Sequence, residues 1–278
     1  MNFEYRLNPD GTFALYNTEI EDIYFSNIGA HKEALKKFVI PSAVNSINKK
    51  KIKILDVCYG MGYNSKSFVD YCLKNNLDFE FEIDAIDIDK NILLLGLMIF
   101  DKNISDDIHF AFGKNLLDSL NFDKNIDLIL KEDWIKFIFD DFRAKFDVFN
   151  LKNEVFLYQK DKIKAFLHNI YYQNLVKSEK LSCDFKINFI LGDLLDILPQ
   201  LNNQYDLIFH DAFSIRKQPQ LWSEVVMANY YRLLNTGGKF LTYSNSRVLR
   251  RTLDEIGFDV KINFNELEKQ NGTIGIKI

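Results

Sequence analysis

Proline is scarce in this chain, four residues in 278, and cysteine is scarcer at three. So few prolines argue against a proline-rich linker or a disordered tail. Cys58, Cys72 and Cys183 form no Cys-x-x-Cys pair and no even-numbered framework, which excludes a disulfide scaffold and suits a reducing compartment. No stretch approaches the roughly 18 apolar residues of a membrane span, and the first twenty residues lack the basic-then-apolar order of a secretory signal. These absences lead us to expect a cytoplasmic protein. Positive charge is not in excess either: the formal net charge is −4, so the molecule as a whole lacks the electrostatic footprint of a nucleic-acid binder, and any RNA contact has to come from a local patch. His31, His109, His168 and His210 are scattered without ligand spacing and indicate no metal site. What is plentiful is apolar: 47% hydrophobic residues, 25 of them phenylalanine, enough to build one large domain or one domain with a substantial insertion.

Alternation around Pro9-Asp10-Gly11 predicts an N-terminal hairpin, followed by a helix from His31 to about Ile47. The order strand 52–58, helix 64–75, strand 80–88, helix 90–100 then sets the rhythm of a doubly wound sheet, with right-handed crossovers making its strands parallel. The rhythm resumes with strand 186–192, a short helix 194–200, strand 205–211 and helix 221–234. Gly237-Gly238 is read as the stop of that helix, before a strand from Lys239 to Ser244. A helix over 246–256 and two alternating runs, 258–264 and 273–278, suit an antiparallel edge pair. Two segments compete for the third strand, Ile108–Leu120 and Ile187–Leu198, which resemble each other position for position. The second is preferred because it leads into Asp211 and carries Asp193 where the first has Asn115. The expected organisation is an N-terminal unit, 1–48, and a main domain, 49–278, with a largely helical insertion at about 105–183.

Two stretches carry the chemistry. The first is Asp56-Val-Cys-Tyr-Gly-Met-Gly-Tyr-Asn64, which places Gly60 and Gly62 in a strand-to-helix turn where missing side chains let a ligand approach the backbone. A dinucleotide fingerprint wants a third glycine or an alanine three positions beyond Gly62, where Ser65 stands, and no Gly-Lys-Ser/Thr ends the turn as in a phosphate-binding loop. An adenosyl ligand without a bridging phosphate remains, with S-adenosylmethionine the best candidate. Asp56, Gly60, Gly62 and Asn64 are then expected at its amino-acid end. Asp87, 25 positions beyond Gly62 and near the spacing of about 20 expected of a ribose-binding acid, would take the ribose hydroxyls, with Asp89 as the alternative. Asp193 would accept from the adenine amino group. Each aspartate singly is as well explained as a helix N-cap; the ordered set of three strand-end acids favours the ligand. Cys58, just before the turn, reads better as a buried small hydrophobe than as a reactive thiol.

The second stretch is His210-Asp-Ala-Phe-Ser-Ile-Arg-Lys-Gln-Pro-Gln-Leu-Trp222. Together with Ile23–Phe38, Gly60–Asn64, Gly192-Asp193, Gly237–Ser244 and Val248–Phe258, it resembles the MnmC-like methyltransferases, over about residues 10–100 and 185–278. That resemblance implies an α/β, Rossmann-like class I S-adenosylmethionine-dependent methyltransferase fold. It also implies N-methylation of the 5-aminomethyl group of wobble (2-thio)uridine in tRNA, met at the anticodon loop, with no DNA or membrane partner and an oligomeric state left open. It further implies a stand-alone form without the flavin-dependent oxidase domain of the bifunctional relatives. Ile215 departs from the proline usual in the family. Asp211 is expected beside the reacting amine. A carboxylate favours the ammonium form of an amine, so Asp211 is expected chiefly to aim the nitrogen and accept or relay its proton. Phe213, Trp222 and Tyr243 are candidates for an aromatic wall, although Trp222 fits the core of the following helix better. Lys217, Arg250 and Arg251, with Arg216 and Arg247, are candidate phosphate contacts that read equally well as solvated faces. An aminopropyltransferase or another small-amine or protein methyltransferase is the rival reading, favoured if aspartates line the cavity. A non-catalytic RNA-binding protein is the second.

Overall fold

The computed structural model describes residues 3–7, 13–24, 29–98, 101–119, 185–263 and 272–278. Strands β1 (Phe3–Leu7), β2 (Phe13–Asn17) and β3 (Asp22–Ile23) form a small antiparallel sheet. A helical segment follows, in which Ala30–Ala34 and Ile40–Ser42 flank a π-helical turn, Leu35–Val39. The main sheet contains β4 (Lys51–Val57), β5 (Glu80–Asp87), β6 (Phe185–Leu191), β7 (Tyr205–His210), β8 (Leu234–Thr242), β9 (Phe258–Asn263) and β10 (Gly272–Lys277). Its order is β6-β5-β4-β7-β8-β10-β9. The first five strands of that row run parallel, and β10 is antiparallel to both β8 and β9. This is a Rossmann-like, mostly parallel doubly wound sheet with the expected antiparallel edge. Chain order reverses between β4 and β7, and open parallel sheets bind ligands at such a switch point, beyond the carboxyl ends of the strands.

Period-two alternation explains how the sheet is covered on both faces. In β4, Ile52 and Ile54 belong to one core with the helices Tyr63–Lys74, Lys90–Met98 and Asp106–Ser119. Leu55 and Val57 belong to the other, with helices Glu224–Leu233 and Arg247–Ile256. The preference for the second of the two competing segments holds, since Phe185–Leu191 is the strand beside β5. The first copy is a helix: Ile108, Phe112 and Leu116 recur at a spacing of four and are all buried against β6. Thus the front of the expected insertion packs into the sheet's helical layer. The rest of it, including the helical stretch expected over 134–177, lies outside the described residues, as does the Pro9-Asp10-Gly11 turn.

One boundary differs from the sequence expectation. Gly237-Gly238 does not stop a helix: that helix ends at Leu233, and both glycines lie inside β8. The ladder pairs Tyr205 with Leu234 but Leu207 with Lys239, so the extra β8 residues form a bulge, with Gly237 at φ +80°.

The turn after β4 is held from below. Lys66, buried in the first core, donates its Nζ to the carbonyl of Met61 at 2.9 Å and to that of Gly96 at 2.8 Å. This ties the glycine turn to the helix Lys90–Met98. Burial lowers the Lys66 pKa to about 7. A Cβ on Gly96 would stand 2.9 Å from the Met61 carbonyl oxygen and 3.0 Å from its Cα, both backbone atoms with no rotamer to yield. Gly96→Ala is therefore expected to destabilise the fold by roughly 1–3 kcal/mol through overpacking, outweighing the ~1 kcal/mol gain in helix propensity. Urea unfolding at neutral pH measures it; a variant more stable than wild type would show that the turn gives way freely.

Candidate active site

A cavity of about 780 Å³ opens at the carboxyl edge of the sheet. Its floor is set by register: Val57 pairs with Ile86 and His210, and Asp87 with Leu191, so the ends of β4, β5, β6 and β7 converge there. Asp87 and Asp89 enter it from the end of β5, Asp193 from the end of β6 and Asp211 from the end of β7. Glu19, Asp22 and Glu33 enter from the N-terminal arm. Against these seven carboxylates the lining offers, among the described residues, one cation, Lys37.

Asp87 links two strand ends. Its Oδ2 accepts the N–H of Gly60 at 2.7 Å and its Oδ1 that of Asp89 at 2.8 Å. Burial raises its pKa to about 6, opposed by these backbone donors. Asp211 Oδ2 accepts the Nδ2–H of Asn64 at 2.9 Å, whereas its Oδ1 has no hydrogen bond among the described residues. Burial first, then the negative charge of Glu33, push its carboxyl well above the usual range. Tyr243 lines the cavity and donates its hydroxyl to the Ala212 carbonyl at 3.0 Å. Phe213 also lines it, with the Tyr24 ring edge-on at 4.7 Å.

Asp87, Asp193, Asp211, Phe213 and Tyr243 are therefore brought together, and other candidates are not. Asp56 is fully buried beneath the turn, where its Oδ2 accepts the Ser65 hydroxyl at 2.5 Å; burial raises its pKa to about 7. Gly60 spends its N–H on Asp87. A Cβ on Gly62 would sit 2.1 Å from the Tyr59 hydroxyl, so the space over that glycine, at φ +78°, is filled by the chain's own ring. Asn64 reaches the cavity only through Asp211. Trp222 is buried: it stacks edge-on with His210 at 4.4 Å and donates Nε1–H to the Phe213 carbonyl at 2.8 Å. Lys217 pairs with Glu21 at 3.3 Å, and Arg251 with Glu255 at 2.8 Å on an exposed helix face; neither they nor Arg250 line the cavity. Asp193 does line it, yet also caps the next helix by accepting from the Leu195 N–H at 2.9 Å. His210 is buried against Tyr230, and burial lowers its pKa to about 3. Cys58 lines the cavity half-buried, its thiol pKa pushed up by burial, which argues against a reactive thiolate.

Sequence reasoning missed Asn17, Asp22, Tyr24 and Glu33 as lining residues. The only signal was Asn17's membership of the hairpin and that of Tyr24 and Glu33 in the Ile23–Phe38 stretch, with nothing in spacing to join any of the four to Asp211.

The fold and this sheet-edge cavity define a Rossmann-like methyltransferase architecture, and the comparisons agree. Residues 158–277 match the family model described as S-adenosyl-L-methionine-dependent methyltransferase. The chain is 25% identical to the uncharacterised protein MJ0670 of Methanocaldococcus jannaschii over 268 residues, 96% of this chain and 58% of that protein. The chain thus spans little more than half the length of that relative. A 74-residue segment is 39% identical to the tRNA 5-methylaminomethyl-2-thiouridine biosynthesis bifunctional protein MnmC of Actinobacillus pleuropneumoniae, covering 25% of this chain and 11% of that protein. Among solved structures, MnmC2 from Aquifex aeolicus matches with a TM-score of 0.65 and 22% identity, over 99% of this chain and 70% of that one. The resemblance to the MnmC-like methyltransferases is borne out, and S-adenosylmethionine is the cofactor that this family and fold imply. No helix among the described residues is long and apolar enough to cross a membrane.

The donor set fits that cofactor. Carboxylates at the ends of β5 and β6 can accept from ribose hydroxyls and an adenine amino group, and Ile88, Leu194 and Leu195 contribute apolar lining that suits a purine. Asp87 retains lone pairs beyond its two backbone bonds. Because its pKa is raised from 3.8 to about 6, it is ionised above that pH and protonated below it. Calorimetry with S-adenosylmethionine is expected to show affinity falling as pH drops from 7.5 to 5. Asp87→Asn should weaken binding at pH 7.5 by about tenfold or more and flatten the dependence. A wild-type affinity independent of pH would remove Asp87 from the ribose role.

Proposed function

We propose that this chain is an S-adenosylmethionine-dependent N-methyltransferase acting on the 5-aminomethyl group of wobble (2-thio)uridine in tRNA and giving the 5-methylaminomethyl nucleoside. The observation that carries this reading is Asp211. It is a half-buried carboxylate at a strand end, held on one oxygen by Asn64, with its other oxygen turned to no partner among the described residues, in a cavity it shares with the strand-end acids Asp87 and Asp193. When bound, the cofactor supplies an electrophilic methyl group on a sulfonium sulfur. The chain's residues have to deliver an amine nitrogen with a free lone pair in line with that carbon.

An alkylamine of the lysine type has a pKa of about 10.4 and enters as an ammonium ion. The acidic lining attracts such a cation, and desolvation inside the cavity lowers the amine's pKa while it raises that of Asp211. Both shifts narrow the gap that makes an ordinary carboxylate a poor base for an amine. Asp211 accepts the proton, directly or by relay to water, and its bond to Asn64 aims the remaining N–H. With the donor bound, the methyl group would pass from sulfur to nitrogen, and the part of the chain's residues would be to carry the amine's proton away through Asp211. Positioning supplies the rest, with Phe213 and Tyr243 flanking the splayed-out base. Arg216, Arg247, Arg250 and Lys217, outside the cavity, would meet the phosphates, making binding steeply salt-dependent.

One observation favours a second reading. Among the described residues, seven carboxylates and no arginine line the cavity, a surface that also suits a free polyamine or other small cationic amine. Mass spectrometry of the products separates the two when the protein is offered tRNA bearing the exposed aminomethyl group together with a free polyamine and S-adenosylmethionine. The methylaminomethyl nucleoside is expected; methylated polyamine with untouched tRNA would establish the rival. Asp211→Asn is expected to cut turnover about 100-fold or more while changing cofactor affinity little. The wild-type rate should rise with pH as Asp211 loses its proton, and the variant should lose that limb; undiminished turnover would refute the role.

A further inference from the structure

The loop after β7 is anchored on two sides. On the inner side Trp222 Nε1–H and the Tyr243 hydroxyl donate to the backbone carbonyls of Phe213 and Ala212. On the outer side the partners come from about 190 residues earlier in the chain. The Ser214 hydroxyl donates to Asp22 Oδ2 at 3.1 Å, Lys217 pairs with Glu21, and Tyr24 packs edge-on against Phe213. Ser214 is the node, because its carbonyl also accepts the N–H groups of Lys217 at 2.8 Å and Gln218 at 3.0 Å, closing the turn beyond Phe213.

The arm that reaches this node is itself fixed. Asp22 Oδ1 accepts the N–H of Ile23 at 2.9 Å, Tyr24 N–H bonds the Leu15 carbonyl at 2.8 Å, and Asn17 Oδ1 accepts the N–H groups of Glu19 and Ile20 at 3.0 Å each. Ala14 and Leu15 are fully buried, so the hairpin is seated on the core and does not merely lie over it. Of the two polar ties, Lys217–Glu21 is a rim pair with an exposed carboxylate, a kind worth roughly 0–1 kcal/mol. The tie between Asp22 and Ser214 is part-buried, and both residues line the cavity.

We infer that Asp22 is a positioning residue for the acceptor: through the Ser214 hydroxyl it sets where the loop holds Asp211 and Phe213, so that the N-terminal arm completes the acceptor half of the site. This rests on the reading that Asp211 meets the acceptor amine. It assigns the arm a part in acceptor turnover and none in cofactor binding.

The test is a double-mutant cycle on Asp22→Ala and Ser214→Ala, with Asp22→Asn as the variant that keeps an acceptor oxygen. Steady-state methylation of aminomethyl-bearing tRNA, calorimetry with S-adenosylmethionine and thermal unfolding are measured on each. Each alanine variant is expected to lower acceptor kcat/KM about tenfold, and the double variant to be little worse than either, since one interaction has been removed twice. Asp22→Asn should recover most of the loss, and cofactor affinity should stay within about twofold of wild type, as an acceptor-side role requires. Multiplicative losses, wild-type kcat/KM in the single variants, or equal loss of cofactor affinity would overturn the inference. Ser214→Ala deletes a single oxygen and guards against misreading a folding defect in Asp22→Ala. If Asp211→Asn retains full turnover, the reading of the site itself fails; if Asp211→Asn is inactive while the Asp22 and Ser214 variants match wild type, only this inference fails.

Discussion

The hydrogen bond from the Gly60 N–H to the Asp87 carboxylate joins two of the four strand ends on which the cavity is built. It locks the turn after β4 to the end of β5 and leaves the carboxylate presented at the sheet edge. Beneath it, Lys66 ties the same turn to the next helix, and Asp56 ties the strand end to Ser65. The turn contains three left-handed residues, Cys58, Gly60 and Gly62, and only Cys58 carries a Cβ there. A backbone this constrained needs support on both faces, which is where the buried polar groups of this region are spent.

Burial also sets the electrostatics. Asp56, Asp87 and Asp211 all titrate above ordinary carboxylates, because desolvation disfavours their charged forms. Raised folded-state values mean that these acids favour the fold fully only below the unfolded value near 4, and that this contribution is lost as pH climbs through about 6 and 7. Each of Asp87 and Asp211, when ionised, therefore carries a desolvation cost in the cavity. A sulfonium donor and an ammonium acceptor would each relieve it, which favours cations.

Much of this was legible in the sequence, and the failures have identifiable causes. Asp87, Asp193 and Asp211 follow apolar runs, and a parallel sheet aligns the ends of such runs at one edge. Phe213 and Tyr243 ride on the same ends. Asp56 was assigned to the ligand from its place beside the glycine turn, yet it shares the parity of Ile52 and Ile54 and so faces the helix layer. Period-two reading of β4 would have found that. Gly62 was read as a ligand approach, but the group it admits is Tyr59. Gly237-Gly238 looked like a helix stop because glycine punctuates helices and bulges alike. The N-terminal arm could not be placed, since its contacts with 213–217 span about 190 residues and no periodicity reports them.

The central claim is that one cavity holds the methyl donor by its ribose at Asp87 and faces the donor's sulfur toward Asp211. A crystal structure with S-adenosylhomocysteine tests this most directly. The account predicts ribose hydroxyls on Asp87, the adenine beside Ile88 and Asp193, and the thioether sulfur open toward Asp211, Phe213 and Tyr243. A ligand bound away from Asp87, or an Asp211 carboxylate turned out of the cavity in the complex, would contradict it.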